Sequence, residues 1–160
     1  KNMTTSVFKK LLTEGIYVSA YDQSYQNGLS YTDDQIAAYY ADNKNDFDVV
    51  NYEYILFKGT ADSTKDDSGN TVQPTDEQNA AALAAAQEAA AAALSRAKAG
   101  GSLEDIAKDY DMATYSSQEE GTYNSSSALS AWVFDASRQS GDCDMVNDGS
   151  NYYIAQPHAS

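Results

Sequence analysis

The segment Val49-Val50-Asn51-Tyr52-Glu53-Tyr54-Ile55-Leu56-Phe57 (VVNYEYILF) is the clearest strand in the chain. It is rich in β-branched and aromatic residues, and their partial alternation suits a strand with two unequal faces. Upstream, from Thr4 to Asn27, apolar residues recur at Val7, Leu11, Val18, Tyr21 and Tyr25. These are helical steps, and Asn27-Gly28 supplies a stop. Gly15 predicts a bend or a shorter helix. Thr32-Asp33-Asp34-Gln35 reads as a capping box opening a short helix with Ile36, Tyr39 and Tyr40. Residues 1–47 are therefore expected to form a helical arm, and 48–160 a separate domain.

Downstream of the strand, the polar stretch Lys58 to Pro74 reads as a mobile surface loop. Thr75-Asp76-Glu77-Gln78 is a second capping box, and the alanine-rich run Asn79 to Ala99 is a helix ended by Gly100-Gly101. Ser102 caps a short helix over Leu103 to Tyr110, with Leu103, Ile106, Ala107 and Tyr110 on one face. A Ser/Thr/Tyr-rich segment follows to Ser127, with a short strand expected near Gly121-Thr122-Tyr123. Ala128 to Ser140 reads as a helix stopped by Gly141. Asp142 to Val146 and Asn151 to Gln156 are expected strands, joined by the turn Asn147-Asp148-Gly149. Helices between strands also suit a doubly wound fold. The closing hairpin and the few strands favour an α+β fold, a small antiparallel sheet flanked by helices.

Ten basic and 24 acidic residues give a formal charge of −14. A phosphate backbone is repelled by such a surface, so no nucleic-acid partner is expected; anionic lipid is disfavoured in the same way. The apolar share is 42%, much of it alanine, so a core must draw on the 13 tyrosines, four phenylalanines and one tryptophan. No apolar run spans a membrane, so direct membrane insertion is not expected. Cys143 is the only cysteine, so no internal disulfide is available, and no Cys/His set forms a zinc site. Its acidic neighbours Asp142 and Asp144 discourage a nucleophilic role. His158, the only histidine, follows Pro157 near the C-terminus and is expected to be exposed and disordered. Asp62, Asp66 and Asp67 lack the spacing of a calcium loop, and no metal is expected. Lys1-Asn2-Met3 reads as the interior of a longer chain.

Four local patterns, in order, resemble the parvulin family of peptidyl-prolyl isomerases over Val49 to Gln156. Tyr54-Ile55-Leu56 falls where parvulins have a His-Ile-Leu strand. Residues 97–110 (AKAGGSLEDIAKDY) resemble the family's paired helices. Phe134-Asp135-Ala136 through Gly141-Asp142 is similar to the helix and turn before its third strand. Asn151-Tyr152-Tyr153-Ile154 falls where the family has Gly-Tyr-His-Ile.

The resemblance implies a cofactor-free isomerase pocket: an apolar shelf, two histidines across its floor and a nearby Cys or Asp. Here the two histidine positions are Tyr54 and Tyr153, the acid position falls at Asp111 or Met112, and Trp132 and Phe134, with Met112 or Met145, are the shelf candidates. A tyrosine hydroxyl both donates and accepts, but lacks imidazole's opposed nitrogens. Tyrosines packed in a sheet and aromatics packed in a core are the plainer alternatives. The arm resembles the end of the helical chaperone lobe in secreted foldases. Expected partners are unfolded or proline-containing polypeptides, with self-oligomerisation open. The expected place is outside the cytoplasm, secreted or lipid-anchored on a bacterial surface, with isomerase activity weak or lost. The alternative is a non-catalytic module that docks a partner through the same scaffold.

Overall fold

The computed structural model describes residues 5–158, apart from the side chain of Phe8. The chain forms two compact units, Lys1–Asn43 and Lys44–Ser160. The division falls four residues before the boundary expected from sequence.

In the first unit, α1 (Thr5–Gly28) is one unbroken helix. Gly15 does not interrupt it, because a lone glycine costs only about 1 kcal/mol relative to alanine, less than breaking a helix. The second helix, α2 (Asp33–Asp42), starts with the expected capping box. The Gln35 N–H donates to the Thr32 hydroxyl at 3.3 Å, and the Thr32 N–H to the Gln35 side chain at 3.0 Å.

The second unit opens with a single turn, α3 (Lys44–Phe47), and then β1 (Val49–Lys58). The long helix α4 (Asp76–Lys98) begins at Thr75, whose capping box is also complete, and α5 (Leu103–Ala107) follows. Gly100 sits at φ +91°, the left-handed geometry that lets the chain leave α4, with the Gly101 N–H reaching back to the Arg96 carbonyl. After β4 (Ala113–Thr122) come α6 (Ala128–Val133), β5 (Asp144–Asn147) and β6 (Asn151–Pro157).

These strands make one antiparallel sheet in the order β4-β1-β6-β5, flanked by helices, so the α+β expectation holds. One face carries Ile55, Phe57 and Ile154, all fully buried, against Leu103, Ile106 and Ala86, Ala90 and Ala93 of α4. The three alanines recur at i, i+4 and i+7, so α4 meets the sheet through a stripe of small side chains. The bulk of the core comes from the strands.

Several local expectations are corrected. The strand expected only near Gly121 is ten residues long, because β1 supplies partners from Val49 to Phe57. The helix after Ser127 ends at Val133 rather than Ser140. The Asp135 carboxylate accepts from the Ser137 N–H at 2.8 Å, a local turn that competes with the helix. The helix from Leu103 ends at Ala107, three residues early. The third strand begins at Asp144, since Asp142 is spent on a turn, its carboxylate accepting from the Gln139 N–H at 2.9 Å. The Lys58–Pro74 loop contains a small hairpin, β2 (Thr64–Lys65) with β3 (Thr71–Val72). Among the described residues, no helix is long and apolar enough to cross a membrane.

Candidate functional site

The second face of the sheet carries Tyr52, Tyr54 and Tyr153. Tyr54 lies opposite Ser116 of β4 and Ala155 of β6, while Tyr153 lies opposite Leu56. Directly paired residues project to the same side of a sheet, so Tyr54 and Tyr153 are diagonal neighbours. Their ring centroids are 5.9 Å apart at 60°, and Tyr52 continues the row, 6.1 Å from Tyr54. Gly121 makes room for that end, since a Cβ there would lie 2.7 Å from the Tyr52 ring.

Over β5 and β6 this face is covered by α6, with Leu129 and Val133 buried against Ala155. Trp132 and Phe134 join the tyrosines around that small cluster and stay half-exposed. Phe134 meets Tyr123 edge-on at 5.5 Å, and the Arg138 guanidinium stands 4.8 Å over the Trp132 ring. Both aromatics are thereby held in defined orientations.

The Tyr153 hydroxyl donates to the Asp148 carboxylate at 2.8 Å. Burial, followed by this hydrogen bond to an anion, pushes the phenol up to about 12. Burial on its own would raise Asp148. It is outweighed by donors from the Ser150 N–H, the Tyr153 hydroxyl and the side chain and N–H of Asn151, which hold the carboxyl below its ordinary range. Tyr52 is also raised, by burial first and then by Tyr54. Tyr52 and Tyr153 therefore keep their protons at physiological pH, and an anion is fixed beside Tyr153.

Four of the sequence candidates, Tyr54, Tyr153, Trp132 and Phe134, come together here. Two do not. Met112, like Met145, packs against the helix-side core, across the sheet from Trp132. Asp111 is exposed in the turn before β4, five residues ahead of Ser116. At about 3.3 Å per residue that is on the order of 15 Å from Tyr54's neighbour. Beside the tyrosines, in addition to Asp148, stand Ser116 opposite Tyr54 and Gln118 opposite Tyr52; the Ser116 hydroxyl accepts from the Gln118 amide at 3.1 Å. Ser116 and Asp148 were missed. Ser116 lies in a segment with no strand period, and Asp148 reads from sequence only as a turn residue.

His158 is not loose. Its N–H donates to the Asn51 carbonyl at 2.8 Å, and its Nε2 lies 3.6 Å from Glu53. Cys143 is half-buried beside the helix-side core. Burial chiefly, with Asp144 and Glu53 adding, keeps its thiol raised against the opposing pull of Lys98. In the β2–β3 hairpin, Asp66 spends its carboxylate on the N–H groups of Ser68 and Asn70 and on the Asn70 amide. Among the described residues, no three His, Cys, Asp or Glu side chains gather as a metal site.

Compared with protein-family models, with curated protein sequences and with solved structures, the chain matches none.

Proposed function

We propose that the chain is a parvulin-type folding factor that binds unfolded or proline-containing polypeptides outside the cytoplasm, with little or no isomerase activity. The observation that carries this is the pairing of Tyr54 and Tyr153. Two residues 99 positions apart, each where the resemblance expects a pocket histidine, lie with ring centroids 5.9 Å apart on one sheet face. Half-exposed Trp132 and Phe134 beside them offer apolar surface on which a proline ring can rest.

Prolyl isomerisation breaks no covalent bond; it requires passage over a rotation barrier of about 20 kcal/mol. A catalyst lowers it by binding the twisted amide better than the planar one. The Tyr153 hydroxyl is already committed to Asp148, and a phenol cannot relay hydrogen bonds through two opposed nitrogens. Tyr52, Tyr54, Ser116 and Gln118 are then polar groups left to meet a twisted amide, and none supplies paired opposed nitrogens. That supports binding over catalysis.

A second function is favoured by α6, which closes Leu129 and Val133 over part of this face. It is a docking module for one folded partner. Two measurements decide between them. A proline-peptide assay is expected to give less than about a tenfold acceleration at 100 μM protein; acceleration at ordinary enzyme efficiency, about 10⁴ M⁻¹s⁻¹ or more, removes the claim of lost catalysis. Titration with a permanently unfolded, proline-containing client is expected to saturate in the micromolar range. No binding at 1 mM leaves the docking module.

A further inference from the structure

Helix α1 of the first unit carries a stripe of exposed apolar side chains. Leu11, Val18, Tyr21 and Tyr25 are 53–71% exposed on a helix of 24 residues, and Val7 is 50% exposed. With Glu14 they occupy positions 7, 11, 14, 18, 21 and 25. The alternating steps of four and three keep a seam on one side when two helices coil about each other. Charge does not oppose such contact here. Residues 1–43 hold three lysines against five acids, only −2 of the chain's −14.

We propose that this seam is a self-association surface, in which α1 pairs antiparallel with α1 of a second copy of the chain. A two-fold axis through the middle of the seam sets Val7 against the second copy's Tyr25 and Leu11 against its Tyr21. Each tyrosine then meets an aliphatic side chain, which keeps the layers similar in volume. The same axis sets Glu14 against Val18. A parallel pair would instead stack glutamate on glutamate and tyrosine on tyrosine, and like charges in a seam are costly. Lys10 lies 3.9 Å from Glu14 and draws its carboxylate toward the edge. Gly15 flanks the seam beside the axis, and a Cβ built there meets no atom within 4 Å. The second backbone can approach closely on that side.

The exposed parts of five apolar side chains, at about 100 Å² each, amount to roughly 500 Å² per copy. The total of about 1,000 Å² falls below the roughly 1,200–2,000 Å² of stable specific interfaces, in the range of weak, reversible ones. The dimer is therefore expected to be micromolar rather than nanomolar.

Sedimentation velocity of the whole chain from 5 μM to 1 mM tests this. The expected result is a reversible monomer–dimer equilibrium with Kd between about 1 and 100 μM. Val18→Glu should weaken it at least tenfold, and Glu14→Leu should tighten it at least tenfold. Glu14→Leu also adds helix propensity, so a null result there does not come from melting α1. For orientation, Gly15→Cys on a Cys143→Ser background should oxidise to a linked dimer. Antiparallel pairing brings the two position-15 side chains to the same side of the axis, whereas parallel pairing puts them on opposite sides. A chain that stays monomeric at 1 mM, a dimer indifferent to both seam substitutions, or a failure of Gly15→Cys to link overturns the proposal.

Discussion

The two faces of the sheet are built from alternate residues of the same strands, yet they differ in kind. Along β1, Ile55 and Phe57 point to the helix side and are fully buried, while Tyr52, Tyr54 and Leu56 point the other way and are partly exposed. In β6, Ile154 faces the helices and Tyr153 faces the opposite side. The helix side is closed by two helices; its buried centre holds aliphatic side chains, one phenylalanine and alanines, with Tyr110, Tyr115 and Tyr152 packed around it. The tyrosine side is closed only in part, by the short α6, and Tyr52, Tyr54, Tyr153 and Trp132 there each carry a polar atom. The fully buried centre of the helix side carries no hydroxyl, whereas the opposite face keeps tyrosine hydroxyls within reach of solvent. Under the proposed function, stability and recognition are divided between the odd and even positions of one strand.

Substitutions can break that division, and the largest effect belongs to the closed face. Phe57→Ala removes a fully buried ring that also meets Tyr110 edge-on at 5.3 Å. It should cost about 3–5 kcal/mol, read as a drop in the urea midpoint. Client affinity per folded molecule should stay unchanged; a parallel loss of affinity would mean the two faces are not separable.

Next is the anion at the end of the tyrosine row. Asp148→Ala frees the Ser150 and Asn151 N–H groups and the Tyr153 hydroxyl, for a loss of about 1–2 kcal/mol. The gentler Asp148→Asn should bring the Tyr153 titration down from about 12 toward 10, seen as an earlier rise in tyrosinate absorbance. The intact chain carries the matching linkage. Folded Tyr153 keeps its proton to about 12 and the unfolded residue loses it near 10, so the associated stability is whole below pH 10 and is lost as pH rises toward 12. A urea midpoint flat across that interval contradicts the assignment. Asp148 has the opposite sign. Its folded carboxyl is held low, so its contribution is present above the unfolded carboxylate range and disappears on acidification below it.

On the open face, Tyr54→Ala should weaken client binding about three- to tenfold while costing little more than the half-buried ring itself. An unchanged affinity places recognition elsewhere. The smallest effect is expected from Ser116→Ala. Stability should stay within about 0.5 kcal/mol, with any residual isomerisation reduced; no change in that rate removes Ser116 from the site.

How much of this was legible beforehand depends on whether a residue's role is local. Both capping boxes, at Thr32 and Thr75, involve side chains three residues apart and were readable as written. So were the α4 stop at Gly100 and the closing hairpin. The β4 strand was not. Ala113–Thr122 (ATYSSQEEGT) has neither β-branched runs nor alternation, and it is extended because β1 offers it a row of backbone partners. The early end of α6 and the late start of β5 turn on single carboxylates, Asp135 and Asp142, choosing nearby N–H groups. In the candidate site, Tyr54, Tyr153, Trp132 and Phe134 were named from sequence and do converge. Asp111 and Met112 were named and lie elsewhere, while Ser116 and Asp148, which adjoin the tyrosines, were not named.

The sequence alone determined the capped helix starts at Thr32 and Thr75, the identity of the central strand, the alternation that splits its two faces and the net acidity, because these depend on propensity and charge within a few residues. Tertiary structure decided which residues share the tyrosine face. A one-residue change in strand register sends every side chain to the opposite side, and register is set by pairing between segments that the sequence keeps far apart.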